Sequence, residues 1–271
     1  MVEYAKIKRK FYTYGSDIMN LSFKQYLIIC PLVFLAGFID AIAGGGGLIS
    51  LPAYLISGLP VHNALGTNKL SSSFGSATST LRYSQMGYIK WKDTVCCIIF
   101  AFAGSALGAK CALLISEKIF KMIMLAVIPL TAAVLVFRKN VFDEKEPFSR
   151  LKTIILSCLI AFLMGIYDGI YGPGAGTFLL LLLTGLARLP LNEANGTAKA
   201  INFSTNIAAL AVYIKNGVVL FPLGLLAGLF NLSGSFLGTR FFRKDGIKAV
   251  RPVIFAVLII FFLKIIIEIA E

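Results

Sequence analysis

Two lysines and two aspartates stand in apolar surroundings, where charge is costly and points to function by default. They are Lys69, Lys199, Asp40 and Asp168. Each aspartate lies four residues before a glycine-rich break. The breaks are Gly44-Gly45-Gly46-Gly47 and Gly172-Pro173-Gly174-Ala175-Gly176. Helical spacing puts Ser72 and Ser76 on the face of Lys69, and Asn202 and Asn206 on the face of Lys199. An ammonium flanked by hydroxyl and amide donors suits a small oxyanion. The competing reading is that both lysines lie near helix ends and reach out to the headgroups.

Glycine permits unwound backbone and close approach. An unwound point inside a membrane presents N–H groups and the positive end of a helix, both suited to an anion. The sequence therefore predicts half-helices beginning near Leu48 and Thr177, with their amino ends on the substrate. Tight helix packing is the alternative role for these glycines. Three roles remain open for Asp40 and Asp168: ion pairs with Lys69 and Lys199, carriers of a coupling proton, or hydrogen-bonding caps on the unwound backbone. Gly44–Gly47 lacks both G-x-G-x-x-G and the lysine-serine of a P-loop, which argues against nucleotide binding.

The elements that position these groups belong to a membrane. Of 271 residues, 58% are hydrophobic and 14% charged, and the mean hydropathy is +0.83. A soluble domain carries about 25% charged residues. The net charge of +13 is concentrated at the ends of apolar runs, as at Lys8-Arg9-Lys10, Arg138-Lys139 and Arg243-Lys244. That is the pattern of cytoplasmic loops and headgroup contacts. No basic stripe interleaves with aromatics, which argues against nucleic acid. The five cysteines lie in apolar runs without a C-x-x-C pair, so no metal site or disulfide framework is expected. His62 reads as a residue at a membrane boundary. Residues 1–24 hold Lys6, Lys8, Arg9 and Lys10 without an apolar core. They read as a retained cytoplasmic segment rather than a cleaved signal.

Apolar runs fall near 25–43, 48–58, 93–115, 119–137, 152–172, 176–187, 218–239 and 252–267. The runs at 48–58 and 176–187 are too short to span a bilayer, which takes about 20 residues. The polar stretches 62–86 and 192–214 read as helices facing other helices or a cavity. A shift of 130 residues aligns 59–108 with 189–238 at 13 identities in 50 positions, too many in one frame to be chance. Leu59-Pro60, Gly66-Thr67, Lys69, Tyr83 and Gly104-Ser105 meet Leu189-Pro190, Gly196-Thr197, Lys199, Tyr213 and Gly234-Ser235. Upstream, a shift of 128 matches Gly37, Asp40 and Gly44 to Gly165, Asp168 and Gly172. The expected fold is an all-α polytopic membrane protein of two homologous repeats, with glycine-broken helices at their interface. Repeat 1 spans 25–138, a polar linker 139–151, and repeat 2 spans 152–268. Counting the broken segments as crossings gives parallel repeats; counting them as re-entrant gives inverted ones. Transporters built from two repeats place their site at the repeat interface, on discontinuous helices.

Gly44-Gly45-Gly46-Gly47-Leu48 with Pro52, Gly66-Thr67-Asn68-Lys69, Gly172-Pro173-Gly174-Ala175-Gly176, and Gly196-Thr197-Ala198-Lys199 with Asn202 resemble the TauE/SafE family of membrane transporters over about 30–268. The resemblance implies export or uptake of sulfur-containing anions such as sulfite, sulfonates, sulfoacetate or thiosulfate, with no cofactor. The expected partners are a small anion, the bilayer, and a coupling proton or sodium. The expected location is the plasma membrane. A passive anion channel is the main rival. An intramembrane aspartyl protease is a weaker one: Tyr167-Asp168 fits half of its signature, but Asp40 follows Gly37-Phe38-Ile39. With one histidine and no Gly-x-Ser-x-Gly, a serine or cysteine hydrolase lacks its parts.

Overall fold

The computed structural model describes residues 22–120, 122–124, 127, 146 and 148–241. Most of the amino-terminal segment 1–24, most of the linker 139–151 and the apolar run 252–267 lie outside these residues. The described residues are all-helical: α1 (Phe23–Ala43), α2 (Gly47–Ile56), α3 (Val61–Gln85), α4 (Trp91–Leu114), α5 (Arg150–Ile170), α6 (Ala175–Gly185), α7 (Leu191–Lys215) and α8 (Phe221–Arg240). Among them α1, α4, α5 and α8 are long and apolar enough to cross a membrane. Their outer faces carry exposed Ile99, Leu114, Leu159, Leu163 and Leu229. Lipid is the solvent that such surfaces require.

The glycine breaks interrupt the helices where expected. Helix α1 stops at Ala43 because Gly44 takes φ +66°, a region closed to most side chains. Helix α5 stops at Ile170, and Gly172 and Gly174 take φ +90° and +82° before α6 begins. The polar helices α3 and α7 each start just after a Leu-Pro pair whose proline has φ −55°. Their hydroxyls fold back onto their own backbone. Ser73, Ser76 and Thr80 donate to Lys69 O, Ser72 O and Ser76 O at 2.7–2.8 Å. That internal satisfaction lets a Ser/Thr-rich helix lie away from water.

Hydrogen bonds at the helix ends define the topology. The Gln25 side chain donates to Ser57 O at 2.7 Å, so α2 returns to the end where α1 starts. Thr153 Oγ1 donates to Ala187 O at 3.4 Å, so the chain after α6 returns to the start of α5. Both broken segments are therefore re-entrant. His62, at the start of α3, contacts Ala112 O near the end of α4 at 3.2 Å. Arg150, at the start of α5, pairs with Asp93 at the start of α4. The starts of α1 and α5 thus lie at opposite ends of the bundle. His62 is 6% exposed, buried in protein at this end of the bundle.

The last described helix of each half packs on the first helix of the other. Glycines make the fit. A Cβ on Gly104 or Gly108 of α4 would lie 2.3 or 2.2 Å from the carbonyl oxygens of Phe162 and Ile166 on α5. On Gly234 or Gly238 of α8 it would lie 2.0 or 2.3 Å from those of Phe34 and Phe38 on α1. Small residues at four-residue spacing allow this approach inside a membrane. We predict that Gly234→Ala lowers stability by about 1–3 kcal/mol, because backbone, not a flexible side chain, blocks the methyl. A thermal melt in detergent matching the parent protein would show that the two helices can separate at no cost.

Candidate functional site

Helices α2 and α6 start from the two breaks and meet amino end to amino end. A Cβ on Gly44 would lie 2.4 Å from the carbonyl carbon of Gly176. Thr177 Oγ1 locks the contact by donating to Gly44 O at 2.7 Å. Residues from both halves enclose a cavity of about 30 Å³ beside this meeting point. That is space for only a few waters, so the site is narrow.

The buried charges pair across the halves. Lys69 Nζ donates to Asp168 Oδ2 at 2.7 Å and to Asn206 Oδ1 at 3.2 Å. Lys199 Nζ donates to the backbone oxygen of Asp40 and to its Oδ2, at 3.2 Å. Lys69 and Lys199 are 3% and 1% exposed, so neither reaches headgroups. Asp40 also caps the first break, where its Oδ1 accepts from Gly45 N and Gly46 N at 3.1 and 3.2 Å. It therefore combines the ion-pairing and capping roles, whereas Asp168 holds the lysine. Two tyrosines brace the segments next to these aspartates. Tyr83 donates to Ala41 O at 2.8 Å and Tyr213 to Gly169 O at 3.0 Å. Tyr167 donates to Pro173 O at 2.6 Å and fixes the second break.

Most of the residues singled out in the sequence come together here. Asp40, Gly45, Gly46, Gly47, Lys69, Ser72, Asp168, Gly172, Gly174, Gly176, Asn202 and Asn206 all line the cavity. Three do not. Gly44 is pressed against Gly176. Ser76 accepts from Asn206 Nδ2 at 3.2 Å and steadies that side chain. Lys199 is turned onto Asp40. The amides of Gly45 and Gly46, expected to face the substrate, are taken by Asp40. Among the lining residues, Asn68 and Asn231 were missed as site residues. Asn68 sits beside Lys69 in Gly66-Thr67-Asn68-Lys69. Asn231 lies in the apolar helix α8, and a polar side chain there is itself a signal.

The formal charges at the site balance. Two lysines and two aspartates cancel. At the same breaks the amino ends of α2 and α6, about half a positive charge each, meet the carboxyl ends of α1 and α5, of opposite sign. Gly47 and Gly176 lie in the first turns of these helices, where amides have no acceptor within the helix. The asparagine side chains add donors from α3, α7 and α8.

The family model described as "Sulfite exporter TauE/SafE" matches residues 29–265. The chain is 35% identical over 237 residues to "Probable membrane transporter protein ORF9" of Sinorhizobium sp., covering 88% of this chain and 90% of that one. It is 33% identical over 236 residues to a "Probable membrane transporter protein" of Haemophilus influenzae, covering 87% and 92%. It is 31% identical over 242 residues to "Probable membrane transporter protein YfcA" of Escherichia coli K12, covering 86% and 89%. No solved structure matches the chain. Glycine-broken helices closing on a buried, cross-paired charge site, together with these matches, place this integral membrane protein in a transporter family: the chain belongs to the TauE/SafE family.

Proposed function

We propose that the protein is a secondary transporter that carries a small anion, of the sulfur-containing class, by alternating exposure of the central cavity. The observation that carries this reading is the convergence of the α2 and α6 amino ends on a cavity lined by Lys69, whose charge Asp168 balances, with the Lys199–Asp40 pair beside it. The first-turn amides of α2 and α6 are left to an incoming anion. Lys69 would turn part of its hydrogen bonding from Asp168 to the substrate. Asn68, Ser72, Asn202 and Asn206 would orient it, and Gly47, Gly174 and Gly176 would offer backbone amides. The family relationship supports a sulfur oxyanion such as sulfite, a sulfonate, sulfoacetate or thiosulfate as cargo.

The matching helix lengths and the opposite starts of α1 and α5 support reading the halves as inverted repeats. Such repeats can exchange conformations and so open the site to each side in turn. The cavity must widen from about 30 Å³ to admit any of these anions. Coupling to a proton or sodium ion completes the reading. The reading includes a plasma-membrane location; Lys6, Lys8, Arg9 and Lys10 favour a cytoplasmic amino terminus, although Arg150 and Lys152 stand at the opposite end of the bundle. Each carboxylate faces a lysine, whereas protease carboxylates face one another to share a proton; this favours transport over proteolysis.

Uptake and efflux in proteoliposomes against sulfite, thiosulfate, sulfonates, sulfate and chloride test the proposal. Saturable transport of a sulfur-containing anion with fixed proton or sodium stoichiometry is expected. Unsaturable, uncoupled flux of chloride as fast as the rest would make the protein a channel instead.

A further inference from the structure

A second and much larger pocket, of about 670 Å³, lies away from the central cavity, at the end of the bundle where α4, α5 and α7 begin. Nothing in the transport reading uses it. Its walls are largely apolar, from Trp91, Cys97, Phe148, Ile154, Leu189 and Pro190. Ser157 also lines it. This serine is 3% exposed, and its Oγ has no hydrogen-bond partner among the described residues. A buried hydroxyl left unpaired is unfavourable, so a ligand reaching it would gain an acceptor or donor already desolvated.

Positive charge surrounds the mouth. Lys90, Lys92 and Arg150 line the pocket with Asp93 and Glu193. Arg150 pairs with Asp93 at 2.6 Å and Lys90 with Glu193 at 2.6 Å. Lys92 has no ion pair among the described residues. Lys152 and Arg188 add two more cations, stacked on Phe148 at 3.8 and 4.0 Å. The amino ends of three long helices point the same way and add to the field.

The level of the pocket names its occupant. Trp91 is 45% exposed at the start of α4, and Leu151, Ile155 and Val95 lie exposed on the same helices. Exposed aliphatic side chains one turn inside a ring of Lys, Arg and Trp mark the boundary between headgroups and acyl chains. An apolar slot with a cationic rim at that depth matches an anionic lipid, head outward and chain inward.

The frame that aligns the two halves sharpens the point. Lys90, Lys92, Asp93, Arg150 and Glu193 fall opposite Leu220, Pro222, Leu223, Ser22 and Asn63, and Ser157 opposite Ile29. In that other corner Ile29 and Leu223 are wholly buried, and a Cβ on Gly224 would strike Leu70 at 2.7 Å. One corner is packed, and its counterpart is hollow and charged. We propose that the pocket between α4, α5 and α7 is a specific site for one anionic phospholipid.

The test uses the full chain, delipidated in non-ionic detergent. Phosphatidylglycerol or phosphatidylcholine is added back, and bound lipid is counted by native mass spectrometry. The expected result is one retained phosphatidylglycerol per chain and no retained phosphatidylcholine. Lys92→Gln and Lys152→Gln change exposed side chains outside any ion pair among the described residues. Each should weaken retention about fivefold, the worth of one cation near an anionic headgroup. Ser157→Leu fills the floor and should abolish it. Arg240→Gln, at the end of α8, should leave it unchanged. A thermal melt verifies that each variant is folded. Equal retention of both lipids, or retention unmoved by the lysine variants, would overturn the proposal. So would displacement of the lipid by glycerol phosphate at equal concentration, since a headgroup alone would then suffice.

Discussion

Asp168→Asn is expected to destabilise the protein by about 3–5 kcal/mol, the usual cost of stranding one charge of a buried pair. Lys69 would be left 3% exposed with only neutral amide oxygens, of Asn206 and of the substituted side chain, to accept from it, and with no counter-charge beside its ammonium. Lys69→Gln should cost a similar amount for the mirror reason. The double variant Lys69→Gln/Asp168→Asn should recover most of the loss, because two neutral amides can hydrogen-bond without a desolvated charge. The effect at Lys199 and Asp40 should be smaller, since the Asp40 side chain is 17% exposed. Unfolding temperatures of purified protein, followed by tryptophan fluorescence, decide this. Single variants that melt with the parent protein would refute a structural ion pair. Asp168→Asn protein that stays folded and exchanges substrate, yet ignores a pH gradient, would assign the carboxylate to proton carriage. On the proposed function, the double variant should in any case lose substrate affinity, because the proposed lysine contact to the anion is gone.

The second large effect is expected at Gly44. A side chain there must adopt φ +66° and must also occupy space 2.4 Å from the backbone of Gly176. The conformational strain alone is worth about 1–3 kcal/mol. The overlap is with backbone of another half-helix, which can yield only if α2 and α6 move apart. Gly44→Val should therefore prevent accumulation of folded protein. Gly44→Ala should fold poorly and lose transport. Gly172→Ala provides the comparison: its φ is +90°, but the nearest atom to a new Cβ is the Asp168 carboxylate oxygen at 3.2 Å. That variant should be clearly the milder of the two. Equal expression and transport in Gly44→Ala and Gly172→Ala would show that the contact between the breaks does not hold the site together.

Much of the site was legible because its signals are local. Charge in an apolar run, a glycine run without side chains, and serines spaced by three or four residues are each visible in a short window of chain. Where Lys199 and Ser76 point was not legible, because direction is not local. Lys199 was expected at the substrate, like Lys69, but it turns onto the backbone and carboxylate of Asp40. Ser76 was expected to orient the anion, but it meets Asn206 instead. Asn231 reaches the cavity from α8, far along the chain from every motif.

The sequence by itself determined that this chain lives in a bilayer, since no folding in water could hide so many apolar residues. It also determined where helices stop, because glycine and proline act on their own residue's backbone. Its aspartates and lysines announced that charge would be buried. Only the tertiary structure decided which lysine meets which aspartate, that the broken segments turn back rather than cross, and that one corner of the bundle is hollow while its counterpart is packed. Those outcomes depend on how closely one helix can lie on another. Here that is set by glycines such as Gly104 and Gly234 pressed against carbonyls of helices in the other half. Contacts between residues so distant along the chain leave no pattern within either segment alone.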